Sequence, residues 1–464
     1  MIAGDRFFER NSRSQWFLWL MMVALFYHCT QEKESSLEFS VLSFGAKGDG
    51  ITNDKDAIQR AFDACRGSGG TVHFPPGNYL TGQLVLGSRM RIQIDSGATI
   101  LGVQSDEETD YPHTLIETRY PNRMLDDCQR RLLFGNHVKE VTITGKGIID
   151  GQGDFEPWMH VQSLGTEKDR PSILAFVGSK NITVEGITLI DPACWTQVYI
   201  ESDSITIRGV TVHTGNLTPN RDGIDVVDCH QVLIEDCVIQ SEDDGICFKS
   251  GSEYGCEQIT VKDCLIDKLN VRAGNCFKFG TDGLGRFAHF EISGLTLKNA
   301  FQNSAIAIES MDGALIDDIL IRDCEISHCG QAIFMILADR GRSVPGRETR
   351  VGSISNVTFR NIRGSDFTQS YPSILTGIPG HNIQNVTFEK VQLEMAGGIR
   401  KADEPVKEYD GNYPEGSSFG NTPAFAFYVR HLDRITFDQC TLTTKHEDAR
   451  PWLAREDVKE LVVH

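Results

Sequence analysis

Short runs of alternating apolar and polar residues recur from the middle of the chain to its end. NITVEGITL from Asn181, SITIRGVTV from Ser204, QVLIEDCVI from Gln231, QITVKDCLI from Gln258, DILIRDCEI from Asp318, NVTFRNI from Asn356, NVTFEKVQL from Asn385 and RITFDQCTL from Arg434 share one pattern, a short β-branched strand, a turn and a second short strand. Ile205, Val232 and Ile259 stand 27 residues apart, and Ile182 precedes Ile205 by 23. A unit this short cannot bury its apolar face alone, so successive units must stack and pair in parallel. The two-residue period puts Ile, Val and Leu inside and Thr, Arg, Glu and Lys outside. A sandwich has no reason to repeat one sequence at a near-constant interval. The pattern therefore predicts an all-β, right-handed single-stranded parallel β-helix over residues 38–464, one domain despite its length.

One segment has the helical period. Ala57, Ile58, Ala61, Phe62 and Cys65 fall on one face of residues 54–66, with Thr52 or Asn53 as N-cap, and this helix is expected to cover the open N-terminal end of the solenoid. Longer insertions at 104–132, 337–350 and 397–419 read as loops, and loops on a rigid rod are where a cleft is built.

The formal charge of -19, without a basic stripe, excludes nucleic acid as the main partner. It leaves acidic sugars open, because a few cations in one cleft outweigh the net sum. The first residues look like a targeting segment: Arg6, Arg10 and Arg13 precede an apolar run at 16–27 that is too short to span a bilayer. Cys29 then closes the run as in a bacterial lipoprotein signal, although Tyr27 and His28 stand where small residues are usual. Two readings stay open, a cleaved signal peptide (1–29) or lipidation at Cys29. Either makes the protein exported, as a secreted or periplasmic protein or an outer-membrane lipoprotein. Of 13 cysteines, Cys237, Cys264, Cys324 and Cys440 occupy matching strand positions and read as stacked small hydrophobes. No CxxC pair appears, so zinc is not expected.

Two neighbouring repeats break the apolar alternation with acids, in Asn220-Arg221-Asp222-Gly223-Ile224-Asp225 and Ser241-Glu242-Asp243-Asp244-Gly245-Ile246. Asp222 and Asp243 are 21 residues apart, close to one coil. Rungs lie about 4.8 Å apart, so these carboxylates should meet on one face. Such crowding raises proton affinity, as a general acid needs. Single acids at strand edges are commonly turn residues, but several on successive rungs repel one another and point to catalysis or to cation binding. The alternatives are a calcium site with a basic residue, making a lyase, and a non-catalytic carbohydrate-binding β-helix.

The chain resembles the polygalacturonase-type glycoside hydrolases of family 28, whose fold is the pectin lyase-like β-helix. FSVLSFGAKGDGITNDKDAIQRAFDAC, GGTVHFPPGNYLTGQL, ITGKGIIDGQG and RPSILAFVGSKNITVEGITLIDPACWT look like that family's first coils, NRDGID like its Asn-Thr-Asp-Gly motif, and EDDGICFKSG like its Asp-Asp motif. The resemblance implies an inverting hydrolase of pectic chains that needs no cofactor and acts as a monomer. Asp243 would protonate the leaving oxygen, Asp222 and Asp244 would activate water, and Asn220 would orient Asp222. Inversion ordinarily places acid and base about 6.5 to 9.5 Å apart. Two motifs depart from the family. Residues 272–280 carry no histidine where Gly-His-Gly is expected, and Ala307-Ile308-Glu309 stands in place of Arg-Ile-Lys. Glu309 would repel a uronate, so Lys278, Arg340 or Arg342 must substitute or the sugar there is neutral, and exo action or a decorated oligosaccharide is expected. Trp195 and Trp158 are candidates for stacking on sugar rings.

Overall fold

The computed structural model describes residues 37–464 except 115, 126–128, 160–166, 216–218, 270–273, 343–349 and 403–404. The expected targeting segment and Cys29 lie outside the described residues, as does the Asn-Leu-Thr sequence at 216–218.

Among the described residues thirty-five strands, all paired in parallel, wind from Glu38 to Val463 as a right-handed β-helix. One coil runs Gln197–Ile200, Asp203–Arg208, Thr211–His213, and the next begins at Ile224–Val227. Each coil therefore contributes three strands to three faces, not the two that alternation revealed. The first face stacks as the repeats predicted, with Ile182 opposite Ile205, Ile205 opposite Val232 and Val232 opposite Ile259. Two further rungs, around Val141 and Phe290, follow the same register. The inward Ile, Val and Phe side chains form one continuous buried core, and Phe359, Phe388 and Phe437 stack along it with centroids 5.0 and 5.1 Å apart.

The corners explain two regularities of the repeats. Asn181, Ser204, Gln231, Gln258, Asp318, Asn356 and Asn385 all enter the first face with φ between 51° and 60°. Asn and Asp tolerate this left-handed conformation best, so the sequons at Asn181, Asn356 and Asn385 reflect corner geometry. The next corner places Asp236, Asp263, Asp323 and Gln439 at φ 53° to 56°, which is why an acid or Gln precedes each matching cysteine. Those thiols turn inward; Cys237, Cys264 and Cys324 are buried and unpaired.

The amphipathic helix spans Lys55–Cys65 and buries Ala57, Ile58, Ala61, Phe62 and Cys65. It packs on Glu38–Ser40, Thr71–Phe74 and Leu84–Val85, the strands that open the rod. Its cap is Asp54, one residue later than expected. The Asp54 carboxylate instead accepts from the Lys47 and Gly48 backbone N–H groups, while Asn53 Oδ1 accepts from Lys55 N. The last described strand, Leu453–Val463, is laid on Phe427–Asp438.

The third face was invisible to a periodicity argument because it is buried on both sides. Ile224–Val227 and Ile246–Ser250 contain no exposed residue, since loops cover the outward positions. Close approach also fixes two glycines here. A Cβ on Gly223 would sit 2.5 Å from Gly245 O, and one on Gly245 would sit 2.5 Å from Cys276 O and 2.4 Å from Ile266 Cγ2. Gly245→Ala should lower the urea unfolding midpoint, at a cost of about 1–3 kcal/mol from overpacking against backbone that cannot give way.

Candidate active site

Ile224 pairs with Ile246 and Ile246 with Phe277, and the ladder continues backwards through Gly223 N to Asp244 O (2.9 Å) and Gly245 N to Asn275 O (2.9 Å). Asp222 is therefore stacked on Asp244, not on Asp243 as the spacing suggested. The same column carries Trp195 on one side, through Thr196 N to Asp222 O (3.0 Å), and Ser304 and Gln331 on the other. Asp243 stands one residue outside the column and projects beside it. One oxygen from each of Asp222, Asp243 and Asp244 lies within 4.8 Å of the others. This is tighter than the acid–base gap usual for inversion. It still admits one water bridging two carboxylates, since two hydrogen bonds of about 2.8 Å span it at a near-tetrahedral angle.

Two lysines that the sequence reading passed over hold this trio together. Lys249 Nζ donates to Asp222 Oδ2 (2.8 Å) and to Asp225, and lies 4.3 Å from the Trp195 ring centroid. Lys268 Nζ donates to the Asp243 carbonyl and to Ser241 Oγ (3.2 Å). On the far side Lys278 Nζ stands 3.1 Å from Asp244 Oδ2, 2.9 Å from Tyr413 Oη and 3.9 Å from Glu309 Oε2. Lys278 is thus committed to Asp244 and Glu309 and is no spare cation for a uronate. Glu309 is buried, accepts from Thr281 Oγ1 at 2.8 Å and faces Lys278, which offsets the charge that looked repulsive. The stretch without the histidine has its own use: Asn275 gives both its backbone N (2.7 Å) and Nδ2 (3.2 Å) to Asp244 Oδ1. Gly274, at φ +72°, packs so closely that a Cβ would meet the Asp244 N at 2.4 Å.

These surroundings separate the three acids. Burial, then Asp222 and Asp244, push Asp243 up to about 7. Burial and Asp225 push Asp222 to about 8 against the pull of Lys249. Asp244 goes the other way: despite its burial, Lys278, Lys249 and the Asn275 N–H hold it below the ordinary carboxylate range. A proton-holding carboxyl and an ionised one thus stand side by side, the pairing that acid–base catalysis needs. The same donor set fits a divalent cation poorly, because ammonium groups already occupy faces of Asp222 and Asp244.

The three predicted loops converge above this floor, bringing Arg123 and Met124, then Arg340 and Arg342, then Tyr413. Two hollows result, sharing Asn220, Asp243, Lys278 and Tyr413. One, of about 240 Å³, contains Asp222, Asp244, Trp195 and the three arginines. The other, of about 230 Å³, contains Asn275, Ser304, Glu309, Gln331 and Glu415. Arg340 makes a two-pronged contact with Asp312 (2.7 and 2.6 Å) and reaches Asp282 at 2.6 Å. Arg342 donates to the same Asp282 oxygen at 2.9 Å. Asn220 does not bond Asp222; its Oδ1 accepts from Arg170 at 2.9 Å, and the orienting contact to Asp222 comes from Lys249. Trp195 lines the arginine hollow, whereas Trp158 is buried against Tyr111 and Phe155 and serves packing.

Asn275 could have been found by adding one rung to the acids, and Lys249 as a charge inside a buried strand. Tyr413 left no signal, since nothing in a loop sequence says where the loop will land.

Comparison with known proteins agrees with this geometry. Residues 74–276, which span all three aspartates, match the sequence model of the glycosyl hydrolases family 28. A probable polygalacturonase from Vitis vinifera is 26% identical over 398 residues, 83% of this chain and 79% of that protein. An exo-poly-alpha-D-galacturonosidase from Dickeya chrysanthemi is 27% identical over 77% of this chain and 67% of that protein. In fold, the family 28 exopolygalacturonase of Yersinia enterocolitica superposes with a TM-score of 0.71 at 18% identity, covering 92% of this chain and 78% of that one. The hyperthermoactive exopolygalacturonase of Thermotoga maritima gives 0.68 at 19% identity, covering 88% and 92%.

Lys278→Met should move the pH profile of any activity to higher pH. Removing that cation raises the proton affinity of both Asp244 and Asp243; initial rates across a pH series check this. Over residues 74–276 the sequence is similar to the glycosyl hydrolases family 28, and over nearly all its described length the fold is the β-helix of these exopolygalacturonases.

Proposed function

We propose that the protein hydrolyses glycosidic bonds in a pectin-type polysaccharide or oligosaccharide with inversion at the anomeric carbon. The observation that carries this reading is the trio itself: Asp243 with raised proton affinity beside an ionised Asp244, with Asp222 stacked next to it. Asp243 gives its proton to the leaving glycosidic oxygen. Asp244 takes one from a water that Asp222 helps position, and the oxygen of that water bonds to the anomeric carbon as the carbon–oxygen bond to the leaving sugar breaks. The proton lost by Asp243 and the one gained by Asp244 balance, and solvent restores both. The family 28 match and the polygalacturonase relatives support the pectic substrate. On the altered subsite residues we take the action to be exo. On the N-terminal sequence we place the protein outside the cytoplasm, with Cys29 as the residue a lipid anchor would use.

Incubation with pectic oligosaccharides should release reducing ends without unsaturated products and without response to EDTA, with fragments of one or two residues from the outset. Ultraviolet-absorbing products that vanish with chelator would establish a lyase instead. Activity should fall as pH rises through about 7, where Asp243 loses its proton, and again at acidic pH where Asp244 gains one. Asp243→Asn should reduce kcat by about 10²- to 10⁴-fold with thermal unfolding unchanged. A mutant of near-normal rate would show that another group supplies the proton.

A further inference from the structure

We infer that Asp225 is a positioning residue of this hydrolysis: it anchors the Lys249 ammonium, and through that ammonium holds Asp222 in place to align the water. This rests on the hydrolase reading above and adds a residue to its machinery. Nothing in the fold calls for a carboxylate at this point. In its column of the third face, Ala175, Val198 and Cys247 occupy the other rungs, all fully buried. The ladder thus fills this position with small apolar side chains before and after Asp225. Asp225 is itself 0% exposed, Lys249 is its only ion-pair partner among the described residues, and its Oδ2 is buried without a partner among them. A buried ion pair lends a fold little, because desolvation of the charges offsets their attraction, and apolar side chains of similar volume commonly serve as well or better. A carboxylate here points to a use other than stability.

Lys249 shows what that use is. Its Nζ donates both to Asp222 Oδ2, at 2.8 Å, and to Asp225, over the Trp195 ring. Burial opposes the charge on Lys249, but Asp222 and Asp225, with smaller help from Cys247 and Asp244, outweigh it and hold the proton more firmly than usual. Anchored by Asp222 alone, an ammonium on a flexible four-carbon stem would follow that carboxylate as it turned. A second anchor on the strand Ile224–Val227 fixes the ammonium, and the fixed ammonium in turn fixes the Asp222 oxygen it bonds. Asp225 lines neither hollow, so it acts through Lys249 and not on the sugar.

The test assays Asp225→Val, Lys249→Met and the double variant on tetragalacturonate, with a thermal unfolding curve for each. Asp225→Val should keep or raise the melting temperature, because valine continues the apolar column and Lys249 stays paired with Asp222. Its kcat should nevertheless fall about 10- to 100-fold with KM unchanged. Lys249→Met should lose at least as much, and the double variant no more than Lys249→Met alone, since a residue that works only through Lys249 has no effect once Lys249 is gone. Near-wild-type kcat in folded Asp225→Val, a rise in KM in place of the fall in kcat, or losses that multiply in the double variant would overturn the inference and leave the hydrolase reading in place. If Asp225→Val does not fold, Asp225→Asn, which keeps the shape, carries the same comparison. Absence of hydrolysis by the folded wild-type protein would sink both.

Discussion

Everything in this molecule depends on the parallel ladder between successive coils. Each rung fixes its neighbour's height through backbone hydrogen bonds, so a residue's position in the groove is set by its count from the start of a strand. That constraint turns separated pieces of sequence into one column, in which Trp195, Asp222, Asp244, Asn275, Ser304 and Gln331 follow one another. The last four are also joined through their side chains: Gln331 donates to Ser304 Oγ, the Ser304 N–H to Asn275 Oδ1, and Asn275 to Asp244. The glycines between the acids and the strands let the rungs close to this spacing. A side chain at Gly223 or Gly245 would part them where the carboxylates must meet.

The ladder brings like charges together, which is unfavourable unless something opposes it. Burying three carboxylates without compensation would simply protonate them all. Here Lys249 and Lys268 from one coil and Lys278 from the next are threaded among them, and their unequal distribution helps make the acids unequal. Asp244 receives the most support and stays ionised, whereas at Asp243, and at Asp222 despite Lys249, burial and neighbouring acids prevail and raise the proton affinity. The difference between two adjacent residues thus comes from lysines of their own coil and the next.

How much of this could be read from the chain follows from burial. The first two faces are amphipathic, so alternation exposed them, and the register Ile182, Ile205, Val232, Ile259 matched the structure rung for rung. The third face has no polar side and left no period, although it bears the site. The aspartates stood out because they interrupt apolar runs. Their mutual register did not, because the turn before Ile246 is one residue longer than a simple 21-residue spacing implies, and Asp244 rather than Asp243 falls in line with Asp222. Lys249 was overlooked, and Lys278 read as a free cation, for a related reason: a single cation in a strand normally faces water, and only the covering loops make both interior.

Leu453–Val463 rests on Phe427–Asp438 along nearly its whole length. Arg455, Glu456, Asp457, Lys459 and Glu460 crowd this segment. A foreign β-edge pairing with the outer side of this strand would have to strip water from that row of mixed charges, which discourages edge-to-edge association there.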